Sequence, residues 1–117
     1  MSYVDGFVAA VPTANQERYR KEAVDAARLF KRYGALQVVE TWGDDVPRGK
    51  VTDFQGAVKA TDDETVVFAW IVWPSKAARN AGMKMVMADP LMNPANNPMP
   101  FDGKRMIYGG FEVVAEL

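Results

Sequence analysis

The segment "TVVFAWIVW", residues 65–73, constrains the fold more than any other part of the chain. Its β-branched and aromatic residues mark a strand. A strand with one wet face alternates apolar and polar residues, and this one does not. Val66, Phe68, Trp70 and Val72 fall on one side, and Val67, Ala69, Ile71 and Trp73 on the other. The run is far shorter than the roughly 18 residues that a membrane-spanning helix needs, so it must be buried in protein on both faces. "YVDGFVAAV", Tyr3 to Val11, repeats the pattern, with Phe7, Ala9 and Val11 on one side and Val4, Val8 and Ala10 on the other.

The remaining elements follow from periodicity and breakers. "PTANQERYRKEAVDAARLFKRYG" carries Tyr19, Ala23, Ala26, Ala27 and Phe30 at spacings of three and four, which predicts a helix ending at Gly34. Thr13 and Gln16 have the spacing of a capping box, with Asn15 as the competing cap. "ALQVVETWGDD" and "VTDFQGAVKA" flank the turn "VPRG", which reads as a hairpin. "PSKAARNAGMKMVMADP" predicts a second helix, capped by Ser75 and stopped at Pro90. Residues 90–105 are too rich in proline and asparagine to be regular, and "MIYGGFEVV" reads as a final strand with Gly109 and Gly110 at a bulge or close approach. The order predicts an α+β fold in one domain over residues 1–117, a ferredoxin-like βαββαβ sandwich with a hairpin extension. Two helices cover one sheet face only. The second apolar face calls for a second copy packed sheet to sheet, a homodimer with two-fold symmetry.

Composition enters mainly through absences. There is no histidine and no cysteine among the 117 residues. Serine–histidine triads, thiol nucleophiles, thiolate metal sites and disulfides are therefore excluded. Any chemistry must run on Asp, Glu, Arg, Lys, Tyr or a bound cofactor. A net charge of −1 gives no field that draws the chain to phosphate backbones, so nucleic acid is not an expected partner. The amino terminus places Asp5 among its apolar residues with no basic segment ahead of them, which argues against a signal peptide and for a cytoplasmic protein. No membrane association, metal or cofactor is expected.

The blocks "YVDGFVAAVP", "WGDDVPRGKVTDF", "VVFAWIVWPSK" and "MPFDGKRMIYGGFE" together resemble the YbaA-like family, bacterial proteins carried as a domain of unknown function. The resemblance runs from Tyr3 to about Glu112. It implies membership of the dimeric α/β-barrel superfamily, in which two ferredoxin-like sheets pack into a barrel. That superfamily includes cofactor-independent monooxygenases, lactone isomerases, haem enzymes and ligand sensors, so the resemblance implies a fold and not a reaction. A haem enzyme with a proximal histidine is impossible here.

Candidate site residues come from carboxylates set where charge is unexpected. The cluster Glu40 to Phe54 offers Asp44, Asp45 and Asp53 around Trp42, and it reads chiefly as a solvated hairpin tip. Asp53 and Glu40, within strand-like segments, are the better acid/base candidates, either one serving as base, with Arg105 as the anion stabiliser. Asp5 and Glu112 are further carboxylates in apolar strands that must pair or stay protonated. Tyr3, Trp42, Trp70 and Tyr108 are candidate walls of an aromatic pocket, the alternative being core and interface packing. These residues suggest a homodimer that binds a small, largely apolar or aromatic molecule, as a cofactor-independent monooxygenase- or isomerase-like enzyme. The competing reading is a non-catalytic binding or stress-related dimer. A cavity of roughly 300 Å³ that touches a carboxylate or Arg105 is what the enzyme reading requires.

Overall fold

The two strands with apolar sides everywhere sit in the middle of the sheet. The computed structural model describes residues 2–117. It contains strands β1 (Tyr3–Pro12), β2 (Gln37–Glu40), β3 (Glu64–Trp73) and β4 (Ile107–Glu112), and helices α1 (Gln16–Arg32), α2 (Phe54–Ala57) and α3 (Lys76–Ala88). All neighbours are antiparallel, in the order β2-β3-β1-β4, which is the ferredoxin-like order. β1 and β3 pair along their whole length, from Tyr3 opposite Trp73 to Pro12 opposite Glu64.

Register divides the two faces cleanly. Tyr3, Ala9, Val11, Val67, Ile71 and Trp73 are buried against Tyr19, Leu29 and Phe30 of α1 and Val86 of α3. Trp73 is fully buried, with the Phe30 ring edge-on at 6.3 Å. α3 reaches it through Gly82, where a Cβ would overlap the Trp73 ring and lie 2.5 Å from the Tyr33 carbonyl oxygen. Ser75 caps α3 by accepting from the Ala78 amide at 3.0 Å, and Gly34 ends the α1 segment at φ +113°.

Two local expectations are corrected. The capping box does not form. Thr13 Oγ1 instead pairs with Thr65 Oγ1 at 2.7 Å, and Asn15 Nδ2 donates to the Pro100 carbonyl, so α1 begins after a short 3₁₀ turn. The hairpin extension has no second strand. Thr41 and Gly43 continue beside β3, donating to Phe68 and Val66 carbonyls, but "VTDFQGAVKA" turns into α2. The reason is Asp53, whose carboxylate accepts from the Gly56 amide at 2.6 Å and nucleates a helical turn before a strand can propagate.

That turn changes the second sheet face. Val58 and Ala60, just after α2, pack over Val8, Ala10 and Val66, and Phe54 lies edge-on to Phe68 at 6.1 Å. The chain therefore covers one end of its helix-free face by itself. The other end stays bare: Phe68 is 42% exposed, Ile107 45% and Phe111 61%, beside half-buried Val4, Trp70 and Val72.

Candidate functional site

β2 is an edge strand, and its alternation aims three side chains under α1. Val38 stands opposite Ile71 and Glu40 opposite Ala69, both on the helix-facing side, and Trp42 continues the same side one step further. α1 presents Gln16, Tyr19, Arg20, Ala23, Val24 and Ala27 to them, a stripe spaced at three and four residues. Alanine at 23 and 27 holds the helix surface back from the strand. What remains is a cleft of ≈ 390 Å³, closed on the strand side by Val38, Glu40, Thr41 and Trp42.

Its polar centre is a pair. Tyr19 Oη donates to Glu40 Oε2 at 2.6 Å, the short distance expected when the acceptor is ionised. The Tyr19 ring is held between Trp42, with centroids 5.9 Å apart, and Phe101, 6.1 Å away. Phe101 arrives on the irregular segment after α3, which is fastened to α1 by Asn15 and by Arg18 Nη2 donating to the Pro98 carbonyl at 2.8 Å. Burial pushes the Glu40 carboxyl above the ordinary glutamate range, and the bond from Tyr19 offsets part of that rise. Burial, then the Glu40 charge and its hydrogen bond, push the Tyr19 phenol up, so it stays a donor. Among the described residues Tyr19 is the hydrogen-bond partner of Glu40, which leaves lone pairs on the carboxylate for a molecule in the cleft. A carboxylate of raised basicity, oriented by a phenol beside an apolar wall, is equipped to accept and return a proton.

The other expected site residues lie elsewhere. Asp53 caps α2 and also accepts from the Gly49 amide at 3.2 Å; these two backbone bonds lower its pKa, so it is a weaker base than an ordinary aspartate. Arg105 donates to both oxygens of Glu64, at 2.8 and 2.6 Å, to Asp102 at 3.0 Å and to the Lys59 carbonyl at 2.8 Å. Those bonds hold Glu64 down to about 2 and commit Arg105 to fastening loops, away from the cleft. Tyr3 is core, Trp70 faces the helix-free side, and Tyr108 is 78% exposed on β4. Of the aromatic set, Trp42 alone lines the cleft. Asp44 and Asp45 are exposed, and among the described residues no group of three acidic side chains is placed to hold a metal ion.

Asp5, the buried carboxylate of β1, pairs within its own layer. It accepts from Trp73 Nε1 at 3.0 Å and from Arg79 Nε and Nη2 at 3.1 and 2.9 Å, and the Arg79 guanidinium lies 5.2 Å over the Tyr3 ring. Gly110 is the close approach expected in the last strand: a Cβ there would sit 2.7 Å from Arg79 Nη2. Sequence reasoning placed Tyr19 in the buried stripe but not at the site, and it missed Arg20 and Gln16. The available signal was a phenol in a stripe otherwise made of alanine and phenylalanine, since a buried tyrosine hydroxyl needs a partner.

Residues 2–103 match the model of the family described as "Protein of unknown function (DUF1428)". The chain belongs to this family. Within it, this DUF1428 chain is similar to the uncharacterized protein YbaA of Escherichia coli strain K12, 57% identical over 116 residues and covering 99% of each chain. The same figures hold for YbaA of Shigella flexneri. Among solved structures it is similar to a mutant of SnoaB, a cofactor-independent oxygenase from Streptomyces nogalater. The TM-score is 0.54 at 17% identity, over 99% of this chain and 94% of that one, a likeness of fold. No helix among the described residues is long and apolar enough to cross a membrane.

Proposed function

We propose that this DUF1428 chain is a homodimeric small-molecule-binding protein whose α1–β2 cleft takes a small apolar or aromatic substrate, with Glu40 as the proton acceptor of a cofactor-independent reaction. The observation that carries the reading is the ≈ 390 Å³ cleft in which the half-buried Glu40–Tyr19 pair meets apolar walls. Its size is in the range of ligand sites. Glu40 removes a proton from an acidic C–H or O–H, the electron pair stays on the substrate, and Tyr19 keeps the carboxylate oriented. Return of the proton at a second carbon gives an isomerase-like outcome. Capture of the carbanion by dioxygen gives a peroxide, which takes the proton back and loses water as its O–O bond breaks, leaving one oxygen as a carbonyl; this monooxygenase-like class is supported by the fold shared with SnoaB. Asp53 and Arg105 act in this scheme by shaping the loops, and Tyr3, Trp70 and Tyr108 by packing and assembly.

A thermal-shift screen against aromatic acids, quinones and enolisable ketones tests the reading, because a ligand selective for the folded state raises the melting temperature. Ligands are expected to stabilise the protein, to quench Trp42 fluorescence and to exchange an acidic hydrogen with solvent deuterium. A bound ligand without exchange or turnover favours the non-catalytic reading. Absence of any ligand that Ala23→Leu displaces removes the cleft from consideration.

The assembly rests on the bare end of the helix-free face, where Phe68, Trp70, Ile107 and Phe111 meet solvent in a lone chain. A second copy covers such a patch by two-fold packing. Sedimentation at micromolar concentration is expected to give twice the 13.0 kDa chain mass, and Phe111→Asp, at an exposed position, to give the single chain. A native species of one chain mass contradicts the dimer.

A further inference from the structure

Glycine inside a strand weakens it, so each one needs a reason: a bulge, a positive φ, or the close approach of another group. Gly110 has its reason in Arg79 and Tyr3, and Gly82, on α3, has one in Trp73. Gly6 and Gly109 have none within the chain. Register runs unbroken through both, so neither marks a bulge, and neither has a positive φ. A Cβ at Gly6 would come no nearer than 3.8 Å to the Phe111 ring, and one at Gly109 no nearer than 3.6 Å to the same ring, which are ordinary contacts. The fold of one chain leaves room for alanine at both positions.

The two glycines are neighbours. Gly6 stands opposite Trp70 on one side and Gly109 on the other, so all three share the helix-free face. The rows on either side are Val72–Val4–Phe111 and Phe68–Val8–Ile107, apolar at every position. The glycines therefore form a shelf two strands wide, about 10 Å across, in a face otherwise paved with side chains. Phe111 leans over this shelf with 61% of its surface still exposed.

Shape and area indicate what covers the shelf. The chain measures 38 × 37 × 20 Å, a plate one sheet and one helix layer thick. It exposes 7745 Å², about 1,400 Å² more than the roughly 6,300 Å² of a compact monomer of its 13.0 kDa mass. A standard interface takes about 800 Å² from each partner. A second copy of the same plate has the flatness and the area to remove that surplus, and these rows carry no charge that would select a different partner.

We propose that Gly6 and Gly109 form the socket of the homodimer: an apolar side chain of each copy seats on the other's shelf and fixes the register in which the two sheets pack. The inference rests on the homodimer reading above and adds the contact that sets its geometry. Sheets packed face to face interdigitate at about 10 Å, which requires a hollow opposite each projecting ring. Two-fold symmetry makes the contact twice, so one substitution acts twice.

Sedimentation of the full chain over a concentration series tests it, with far-ultraviolet circular dichroism as the measure of folding. Native protein is expected to dimerise at micromolar concentration. Gly109→Ala is expected to raise the dimer dissociation constant about ten- to a hundredfold, Gly6→Ala to act alike, and Gly109→Val to give the single chain. Native dichroism is expected throughout, since β4 is an edge strand and the added methyl has room within the chain. Dimerisation unchanged in the folded Gly109 variants overturns the inference while the homodimer stands. A native protein of one chain mass overturns the homodimer, and the inference with it. Where Gly109→Val loses the native dichroism, Gly109→Ala decides, because its methyl stays 3.6 Å from its nearest neighbour.

Discussion

Glu40→Gln is expected to keep ligand binding and to lower turnover about 10²- to 10⁴-fold, the usual contribution of a positioned general base. Gln is nearly isosteric and its amide oxygen still accepts from Tyr19, so the cleft keeps its shape. What is lost is the ability to hold a proton. The same substitution carries a second signature of opposite sign. Burial raises the folded-state pKa of Glu40 above its unfolded value. Its favourable contribution to stability is therefore complete below the ordinary glutamate pKa and is lost as pH rises through the folded-state pKa. Where the side chain is ionised it weighs against the fold, and Gln removes that weight. The melting temperature of Glu40→Gln is expected to equal or exceed the native value near pH 7, with the gap narrowing toward about pH 4. Unchanged turnover sinks the assignment of the base. A gap that widens in acid sinks the account of its environment.

Asp5→Ala is expected to be the most damaging single change to stability, at about 3–5 kcal/mol. Asp5 accepts from both the Trp73 indole and the Arg79 guanidinium, and Trp73 has no exposure through which to find water. Removing the carboxylate leaves one buried donor and one cation without a counter-charge. Arg79 is 25% exposed, so partial rehydration keeps the loss near the lower end. Asp5→Leu combined with Arg79→Met is expected to recover part of the loss, because it removes the unpaired cation, while the buried Trp73 indole N–H still lacks an acceptor. Urea titration of the single and double variants measures this. A single variant that loses less than about 1 kcal/mol, or a double variant worse than the single, contradicts the account.

The strands and long helices were legible because their signals are local. Doubly apolar β1 and β3 became the central strands, covered by the helices on one face and by the segment after α2 on part of the other, and the three- and four-residue spacing of α1 became its buried stripe. α2 was not legible, because "VTDF" has strand composition and the deciding fact is a carboxylate reaching an amide three residues on. That one bond turned an expected strand into a plate that covers Ala10 and Val66. The chain therefore covers part of its helix-free sheet face by itself. At the site, Glu40 was identifiable as a carboxylate in an apolar strand. Its partner was not, because Tyr19 lies 21 positions away and the contact depends on the angle at which α1 crosses the sheet. Arg105 failed as a site residue for a related reason: a lone arginine looks the same in sequence whether it meets a ligand or Glu64 and Asp102.

Arg105 joins two irregular stretches that lie on opposite sides of the sheet. Its bond to the Lys59 carbonyl fixes the segment after α2, where Lys59 itself sits at φ 51°, while the chain just before it carries Phe101 against Tyr19. One side chain thus works as a clasp through the edge of the molecule. Loosening it is expected to free the Phe101 stretch behind Tyr19 and the segment after α2 in the same event, so one side chain serves as a mechanical fuse for both sides of the sheet.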